Sequence, residues 1–193
     1  RQLEGINAGH LIEVGARPNT GKTSFHASMI ASPGGFAHQG ANCIVLCNEE
    51  GSHRVGARYL TASTGMTMKQ IKTNPSRARD LYAPVKDKIK IKDATGRDMS
   101  WVESVCKSYK PDVVLLDMGD KFARTGGFSR PDEALKANAV HARMILIAKN
   151  PPKQEDGDEE DLQRHLNIVK NKLSGWHGVI TCQLEYKTGR YEA

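Results

Sequence analysis

Short apolar runs separated by polar and glycine-containing stretches recur along the first two thirds of the chain. They are residues 11–14, 42–47, 113–116 and 144–148. Each run is short and mostly apolar, as expected of a strand buried on both faces. After the first run, Phe25, Met29 and Ile30 recur at helical spacing. The alternation of strands with helices predicts an α/β fold with a mostly parallel sheet flanked by helices.

A further helix is predicted between the second and third runs. Ser100 precedes Glu103 by three residues, which is the spacing of a capping box, so we expect the helix to begin at Ser100. Trp101 belongs to its apolar face and is expected in the core, and Pro111 is expected to end the helix.

The last third of the chain has a different pattern. Residues 166–172 alternate between apolar and polar, as in a half-exposed strand, and a turn follows at Ser174 and Gly175. Residues 179–186 then predict a second strand, with a tight turn at residues 187–190. This pattern predicts a C-terminal β-hairpin.

The stretch after the first strand reads as a phosphate-binding loop between a strand and a helix. It consists of Ala16, Arg17, Pro18, Asn19, Thr20, Gly21, Lys22, Thr23 and Ser24. In such a loop the backbone N–H groups surround the phosphates, the lysine reaches the terminal phosphates and the threonine hydroxyl ligates Mg²⁺. The first position usually holds a glycine, and Ala16 is small enough to replace it. We therefore predict binding of a nucleoside triphosphate, with Lys22 and Thr23 in these roles.

Acidic residues follow two of the apolar runs. Asp117 ends the third, where a carboxylate facing the phosphate loop would hold Mg²⁺. Glu49 and Glu50 follow the second, and either could accept a proton from the water that attacks the terminal phosphate. The carboxyl ends of parallel strands share one edge of a sheet, so these groups are expected beside the loop.

Composition limits the partners and the environment. The formal charge of +6 suits a nucleic acid but also serves solubility, and no basic block with interleaved aromatic residues identifies a DNA-binding surface. The four cysteines lack C-x-x-C spacing and are expected as small buried residues rather than zinc ligands. No stretch is apolar enough to cross a membrane, and the N-terminus lacks a signal-peptide pattern. We expect a cytoplasmic protein with no membrane partner.

In combination, the Ala-Arg-Pro entry to the loop at residues 16–18, the acidic residue after the second strand and the Leu-Leu-Asp at residues 115–117 resemble the RecA-type motor domain of DnaB-class replicative hexameric helicases. Residues 168–175 and 184–189 are more similar still to phage helicase-primase proteins and the related mitochondrial helicase. The resemblance implies a RecA-like P-loop NTPase core over residues 1–193 as a single domain, using ATP and Mg²⁺.

The resemblance also assigns residues. It implies that Glu49 is the catalytic glutamate and that Asp117 is the Walker B aspartate. Lys170 matches a lysine that reaches the neighbouring subunit's nucleotide, and Lys172 stands where the family has an arginine finger. A lysine carries the charge but lacks the planar fork of arginine. The positions that stack on the nucleotide base fall on Lys149 and Tyr186.

The region after Asp117 departs from the family pattern. RecA-type cores have another helix and strand there, followed by a DNA-binding loop, whereas residues 118–131 are glycine-rich and polar and residues 131–143 read as one helix. We hypothesise that a segment near residues 137–140 is missing from the sequence. For this reason we assign neither a γ-phosphate sensor nor DNA-binding residues.

These observations favour a DNA-stimulated ATPase that moves on single-stranded DNA as a ring. The resemblance implies a hexamer that moves 5′ to 3′, with a primase domain or partner, in the host cytoplasm if the chain comes from a phage. The alternative is a RecA-type recombinase or regulatory ATPase that binds ATP without unwinding DNA. A third possibility is a degenerate module that binds nucleotide without turnover.

Overall fold

The computed structural model of the chain describes residues 10–15, 20–118, 122, 144–149, 163–168 and 174–192. The strands are β1 His10–Gly15, β2 Cys43–Cys47, β3 Ile89–Asp93, β4 Val113–Leu116, β5 Met144–Lys149, β6 Gln163–Ile168, β7 Gly178–Glu185 and β8 Arg190–Glu192. The helices are α1 Lys22–Ala31, α2 Ser52–Thr64, α3 Met68–Thr73, α4 Pro75–Tyr82 and α5 Met99–Tyr109. No helix in these ranges is long and apolar enough to cross a membrane.

The first five strands form one parallel sheet in the order β1-β5-β4-β2-β3. Its register pairs Gly15 of β1 with Lys149 of β5, and Leu46 of β2 with Leu116 of β4. All five strands therefore end at the same edge of the sheet. The predicted α/β class with a mostly parallel sheet is confirmed.

The two faces of this sheet are covered by different helices, and the side-chain alternation of β2 shows how. Cys43, Val45 and Cys47 pack on one face with residues of α1 and α2, while Ile44 and Leu46 pack on the other with residues of α5. Side chains of a strand point alternately to opposite faces, so a strand covered on both must be apolar throughout. This explains why β2 and β4 read as unbroken apolar runs.

The start of α5 differs from the prediction. Asp98 is the N-cap, and its carboxylate accepts a hydrogen bond of 2.9 Å from the backbone N–H of Trp101. Ser100 lies inside the first turn, where its hydroxyl donates to the same carboxylate at 2.7 Å. Glu103 pairs with Lys107 one turn later and does not complete a capping box. Asp98 takes the cap because a carboxylate at this position accepts from the N3 amide directly.

The C-terminal strands form a three-stranded antiparallel sheet in the order β6-β7-β8. The predicted antiparallel pair is present as β6 and β7. The short strand β8, which was not predicted, adds a third strand beside β7. The strand predicted at residues 166–172 begins earlier, at Gln163, and its part beyond Ile168 lies outside the described residues. The sequence prediction also missed α2, α3, α4 and β3.

Arg190 attaches this second sheet to the end of helix α2. Its Nε donates to the carbonyl of Ala62 at 2.7 Å, and one terminal nitrogen donates to the carbonyl of Ser63 at 2.9 Å. Carbonyls in the last turn of a helix lack intrahelical donors, and a cation also suits the negative end of the helix dipole. The helix ends at Gly65 with a φ of 67°, and a Cβ there would lie 2.7 Å from the guanidinium.

We predict that Arg190→Ala destabilises the folded protein by about 2 kcal/mol, the usual range for losing hydrogen bonds to a charged group. Urea unfolding monitored by circular dichroism measures this change. Arg54→Ala is the matched control, because Arg54 is an exposed arginine of the same helix, and a change within about 0.5 kcal/mol is expected there. Equal losses in the two variants would show that Arg190 does not attach the sheet to α2.

Candidate nucleotide-binding site

Helix α1 begins at the edge of the parallel sheet where the strands end. Gly21 is its N-cap, with a φ of 90° that favours glycine, and Lys22 and Thr23 open the first turn. The first N–H groups of a helix have no intrahelical acceptor and carry a partial positive charge, which suits an anion. The predicted loop residues Ala16, Arg17, Pro18 and Asn19 lie outside the described residues.

The side chain of Lys22 reaches from α1 to the end of β4. It is 8% exposed, and its Nζ donates to the sulfur of Met118 at 3.0 Å. Met118 follows Asp117 directly and has a φ of 57°, in the left-handed region that bulky residues seldom adopt. The ammonium group of the loop is thereby held beside the residue that follows the predicted metal-binding aspartate.

Asp117 is a buried carboxylate with 1% exposure. Neither of its oxygens has a hydrogen-bond partner among the described residues. Burial raises its pKa to about 6, the negative charge of Glu49 adds to the rise, and the positive charge of Lys22 opposes it. Two buried oxygens without a hydrogen-bond partner among the described residues fit the donor set that Mg²⁺ prefers. With Thr23, Asp117 is therefore suited to hold that ion.

Few protein groups are available for such a metal. Within the described parts of the chain, no group of three or more His, Cys, Asp or Glu residues is placed to bind one ion. A Mg²⁺ bound by one carboxylate and one hydroxyl would complete its shell with phosphate oxygens and water, as Mg²⁺ usually does at nucleotide sites. The residues thus fit a magnesium ion that arrives with a nucleotide better than a permanent metal.

The segment after β2 carries the two candidate bases. Asn48 donates from Nδ2 to the carbonyl of Met118 at 3.1 Å, which ties this segment to the end of β4. Glu50 is paired with Arg58 of α2 at 2.9 Å. Both glutamates raise the pKa of Asp117 through their negative charge, and Glu49 has the larger effect. The arrangement favours Glu49 as the base, which stays a prediction.

A cavity of about 570 Å³ lies between α1, α2 and the turn after β7, and Asp117 is not among the residues that line it. Five of the predicted site residues face it together with the neighbouring glutamate Glu50. They are Gly21, Lys22, Thr23, Ser24 and Glu49. Tyr186, predicted to stack on a base, is a sixth predicted site residue that lines the cavity, and it is 64% exposed. The volume lies in the range of cavities that hold cofactor-sized ligands.

The cavity also contains residues that the sequence prediction missed. They are Arg58, Thr61, Lys187 and Thr188. Arg58 and Thr61 lie on α2, a helix that was not predicted, and Lys187 and Thr188 were assigned only to a turn. The turn is shaped by Glu185, whose carboxylate accepts from the backbone N–H groups of Lys187 at 3.2 Å and Thr188 at 2.7 Å. The Thr188 hydroxyl also donates to this carboxylate. The hydrogen bond from that hydroxyl is the largest cause of the lowered pKa of Glu185, and the two backbone hydrogen bonds lower it further.

Some of the predicted site residues lie outside the described residues or are described only by their backbone. Lys170 and Lys172, predicted to act in a neighbouring subunit, and the segment near residues 137–140 lie outside the described residues. Lys149 is described by its backbone, which ends β5 opposite Gly15. It therefore lies at the edge of the sheet where the parallel strands end, and its role as a base-stacking residue stays a prediction.

His26 lies one turn after Lys22 on α1 and is 2% exposed. Burial lowers its pKa to about 3, and the positive charges of Lys22 and Arg58 lower it further. The imidazole is therefore neutral at physiological pH. The positive charge at this end of α1 comes from Lys22 and Arg58, without a contribution from His26.

Comparison with known proteins places the fold. No protein-family model and no curated protein sequence matches the chain. Among solved structures, it is similar to a DnaB-like replicative helicase studied with its interactions with primase, with a TM-score of 0.75, 14% identity, and coverage of 96% of this chain and 57% of that one. It is also similar to the ATPase domain of G40P, with a TM-score of 0.76, 14% identity, and coverage of 97% and 86%.

A third solved structure is similar over the whole chain. It is the flagellar accessory protein FlaH from Methanocaldococcus jannaschii, with a TM-score of 0.65, 15% identity, and coverage of 100% of this chain and 93% of that one. The chain therefore has the RecA-like fold of helicase ATPase domains, as its sequence resemblance predicted. It spans just over half the length of the DnaB-like helicase.

We predict that Asp117 makes the stability of the metal-free protein fall as the pH rises. Its pKa is raised from 3.8 to about 6, so the folded protein binds this proton more tightly than the unfolded chain. The contribution of Asp117 to the free energy of unfolding should therefore decrease between about pH 4 and pH 6 and level off above it, by about 3 kcal/mol in all. Urea unfolding in a chelating buffer at several pH values measures this decrease.

Asp117→Asn removes the titrating group and should remove most of that decrease. Asp80→Asn, at an exposed site on α4, is the control and should behave as the wild type. A variant at position 117 whose pH dependence matched the wild type would contradict the assignment.

Proposed function

We propose that this chain is the ATP-hydrolysing motor domain of a ring-forming DNA helicase. The observation that carries the proposal is the convergence of Lys22, Thr23 and Glu49 on one cavity, with the buried carboxylate of Asp117 beside the Lys22 ammonium. These groups occur on a RecA-like fold similar to helicase ATPase domains. A cation, a hydroxyl and two separately placed carboxylates are the set required for hydrolysis of a Mg²⁺-bound triphosphate.

Each residue has a distinct part in the proposed reaction. The backbone N–H groups at the start of α1 and the Lys22 ammonium bind the phosphates of ATP. Thr23 and Asp117 would hold Mg²⁺, which would neutralise charge on the phosphate oxygens. Glu49 orients a water molecule and accepts its proton as the oxygen attacks the terminal phosphorus. The bond between that phosphorus and the bridging oxygen breaks, which leaves ADP and inorganic phosphate.

Arg58 supplies a second positive charge to the cavity. Its guanidinium is 2.9 Å from Glu50, so it is held on α2 by a hydrogen-bonded ion pair that lines the same space. An ion pair at this exposure contributes little to stability, and its role in the proposal is to place a cation. Lys187 and Thr188 add a further cation and hydroxyl from the turn after β7.

The finer parts of the proposal concern assembly and DNA. We propose that the domain acts in a homo-oligomer, a hexamer in the full-length protein, that moves 5′ to 3′ on single-stranded DNA. Lys170 and Lys172 would reach the nucleotide of the neighbouring subunit, and Lys149 and Tyr186 would contact the base. The DnaB-like helicase is described with its interactions with primase, which supports a primase domain or partner here.

A RecA-type regulatory ATPase that does not unwind DNA is the second candidate. The similarity to the flagellar accessory protein FlaH favours it, since that protein matches the whole chain. The two candidates share the nucleotide site and differ in their response to DNA. Stimulation of hydrolysis by single-stranded DNA therefore distinguishes them.

We predict that the protein hydrolyses ATP in the presence of Mg²⁺ and that single-stranded DNA stimulates this activity. Lys22→Ala should abolish binding of a fluorescent ATP analogue, because it removes the buried cation at the phosphates. Glu49→Gln should retain binding but lower turnover by about 10²- to 10⁴-fold, the usual contribution of a general base. Release of phosphate and the molecular mass of the assembly are measured together.

Lys69→Ala and Glu50→Gln are the comparison variants. Lys69 is an exposed lysine on α3, and its loss should change neither binding nor turnover. Glu50→Gln should lower turnover less than Glu49→Gln if Glu49 is the base. Hydrolysis without any response to DNA would favour the regulatory ATPase, and an intact full-length protein without hydrolysis would rule out both.

We predict that Lys172→Arg increases turnover in the assembled protein. An arginine can contact the developing charge on the phosphate through two parallel hydrogen bonds, which a lysine lacks. The increase should be about tenfold, equivalent to one favourable hydrogen bond to a charged group. The measurement is phosphate release over a range of protein concentrations. An unchanged rate in the assembled state would show that Lys172 does not contact the neighbouring nucleotide.

A further inference from the structure

Two side chains of the C-terminal sheet contact the outer surface of the phosphate loop. Arg164 of β6 donates from Nε to the carbonyl of Thr20 at 3.2 Å. The hydroxyl of Tyr191, on β8, lies 3.3 Å from the carbonyl of Gly21 and 3.5 Å from that of Thr20. The two residues come from the two outer strands of the sheet and meet on consecutive carbonyls of the loop.

Tyr191 is fixed against helix α1 by several further contacts. Its ring packs edge to face on Phe25, with the ring centroids 5.1 Å apart. Its backbone N–H donates to the hydroxyl of Ser28 at 3.1 Å. Burial raises the pKa of Tyr191 to about 12, against the positive charge and hydrogen bond of Arg164. The phenol therefore remains a hydrogen-bond donor at physiological pH.

Gly21 has little space for a side chain at this contact. A Cβ on Gly21 would lie 2.8 Å from the Tyr191 hydroxyl oxygen and 3.0 Å from Cδ2 of Leu184. The carbonyl of Gly21 also accepts the hydrogen bond of Phe25 N–H at 2.8 Å, which is the first of α1. This carbonyl thus faces the helix and the C-terminal sheet at once.

The orientation of these carbonyls determines where the N–H groups point. In a planar trans peptide the C=O and the N–H point in opposite directions. Donors that bind the carbonyls of Thr20 and Gly21 therefore favour the orientation in which the N–H groups of Gly21 and Lys22 face away from them. Gly21 and Lys22 line the cavity.

We propose that Arg164 and Tyr191 are positioning residues for phosphate binding, which fix the peptides on both sides of Gly21 so that their N–H groups face the cavity. This inference rests on the proposed function, since it assigns how the C-terminal sheet prepares that same site. The two side chains act through the backbone of the loop and do not touch the nucleotide.

The test is nucleotide binding by Tyr191→Phe, which removes the hydroxyl and keeps the ring that packs on Phe25. The dissociation constant of a fluorescent ATP analogue with Mg²⁺ should rise about fivefold, as expected for the loss of one hydrogen bond. In steady-state hydrolysis the KM for ATP should rise while kcat stays nearly constant, because the loop holds the phosphates equally before and during reaction. Tyr109→Phe, at an exposed tyrosine on α5, is the control and should match the wild type.

The outcomes separate this inference from the proposed function. If the wild type binds the analogue and Tyr191→Phe binds it equally well, the positioning role is wrong and the proposed function is unaffected. If the wild type does not bind the analogue, the proposed function itself fails. A purely structural role would lower the thermal midpoint of Tyr191→Phe without changing the dissociation constant, which also overturns the inference.

Arg164→Lys provides the second variant and decides the matter if Tyr191→Phe does not fold. A lysine keeps the charge but cannot reproduce the planar donor geometry at the Thr20 carbonyl and the phenol. The same rise in the dissociation constant is expected, and an unchanged value contradicts the proposal. In the double variant the loss of binding free energy should be smaller than the sum of the losses in the two single variants, because both residues act on one loop.

Discussion

The missing side chain of Gly21 is the constraint on which the arrangement of this protein depends. Three parts of the molecule meet at this position: the end of the phosphate loop, the first turn of α1 and the inner face of the C-terminal sheet. The φ of 90° favours glycine, and any Cβ would come within 3.0 Å of both Tyr191 and Leu184. The loop conformation and the position of the C-terminal sheet therefore cannot be changed independently of each other.

The charges around the cavity show a second constraint, which opposes stability. Asp117 is buried with Glu49 nearby, and both effects disfavour its ionised form. A core designed for stability alone would place an apolar residue there. Lys22 offsets part of the cost, and its ammonium is held through the thioether of Met118, a weak acceptor that competes little with phosphate. Groups held in this unfavourable state are typical of sites that bind a charged ligand.

The extent to which the fold could be predicted follows from where each element lies. Strands β2 and β4 were recognisable because helices cover both faces of the sheet, which requires an apolar side chain at every position. Helix α2 was missed although Val55, Tyr59 and Ala62 follow helical spacing, since most of its other residues are polar and no side chain caps its start. Edge strand β3 alternates isoleucine with lysine over too few residues to be distinguished from a turn.

Part of the site could also be predicted from the sequence. Residues that act from one loop, such as Lys22 and Thr23, are recognisable by spacing alone, because the chemistry and the local backbone are encoded together. Arg58 and Thr188 could not be recognised, because they reach the cavity only after α2 and the second sheet have packed against α1. Contacts of this kind depend on tertiary structure, and no local pattern encodes them.

The adjacent pair Glu49 and Glu50 shows how packing distinguishes residues that sequence leaves equivalent. Helix α2 begins at Ser52, and this start places Arg58 where its guanidinium meets Glu50. The negative charge of Glu49 contributes more than that of Glu50 to the raised pKa of Asp117, and Asn48 ties the segment that carries both glutamates to Met118. The packing of α2 thus pairs Glu50 with Arg58, which supports Glu49 as the proposed base.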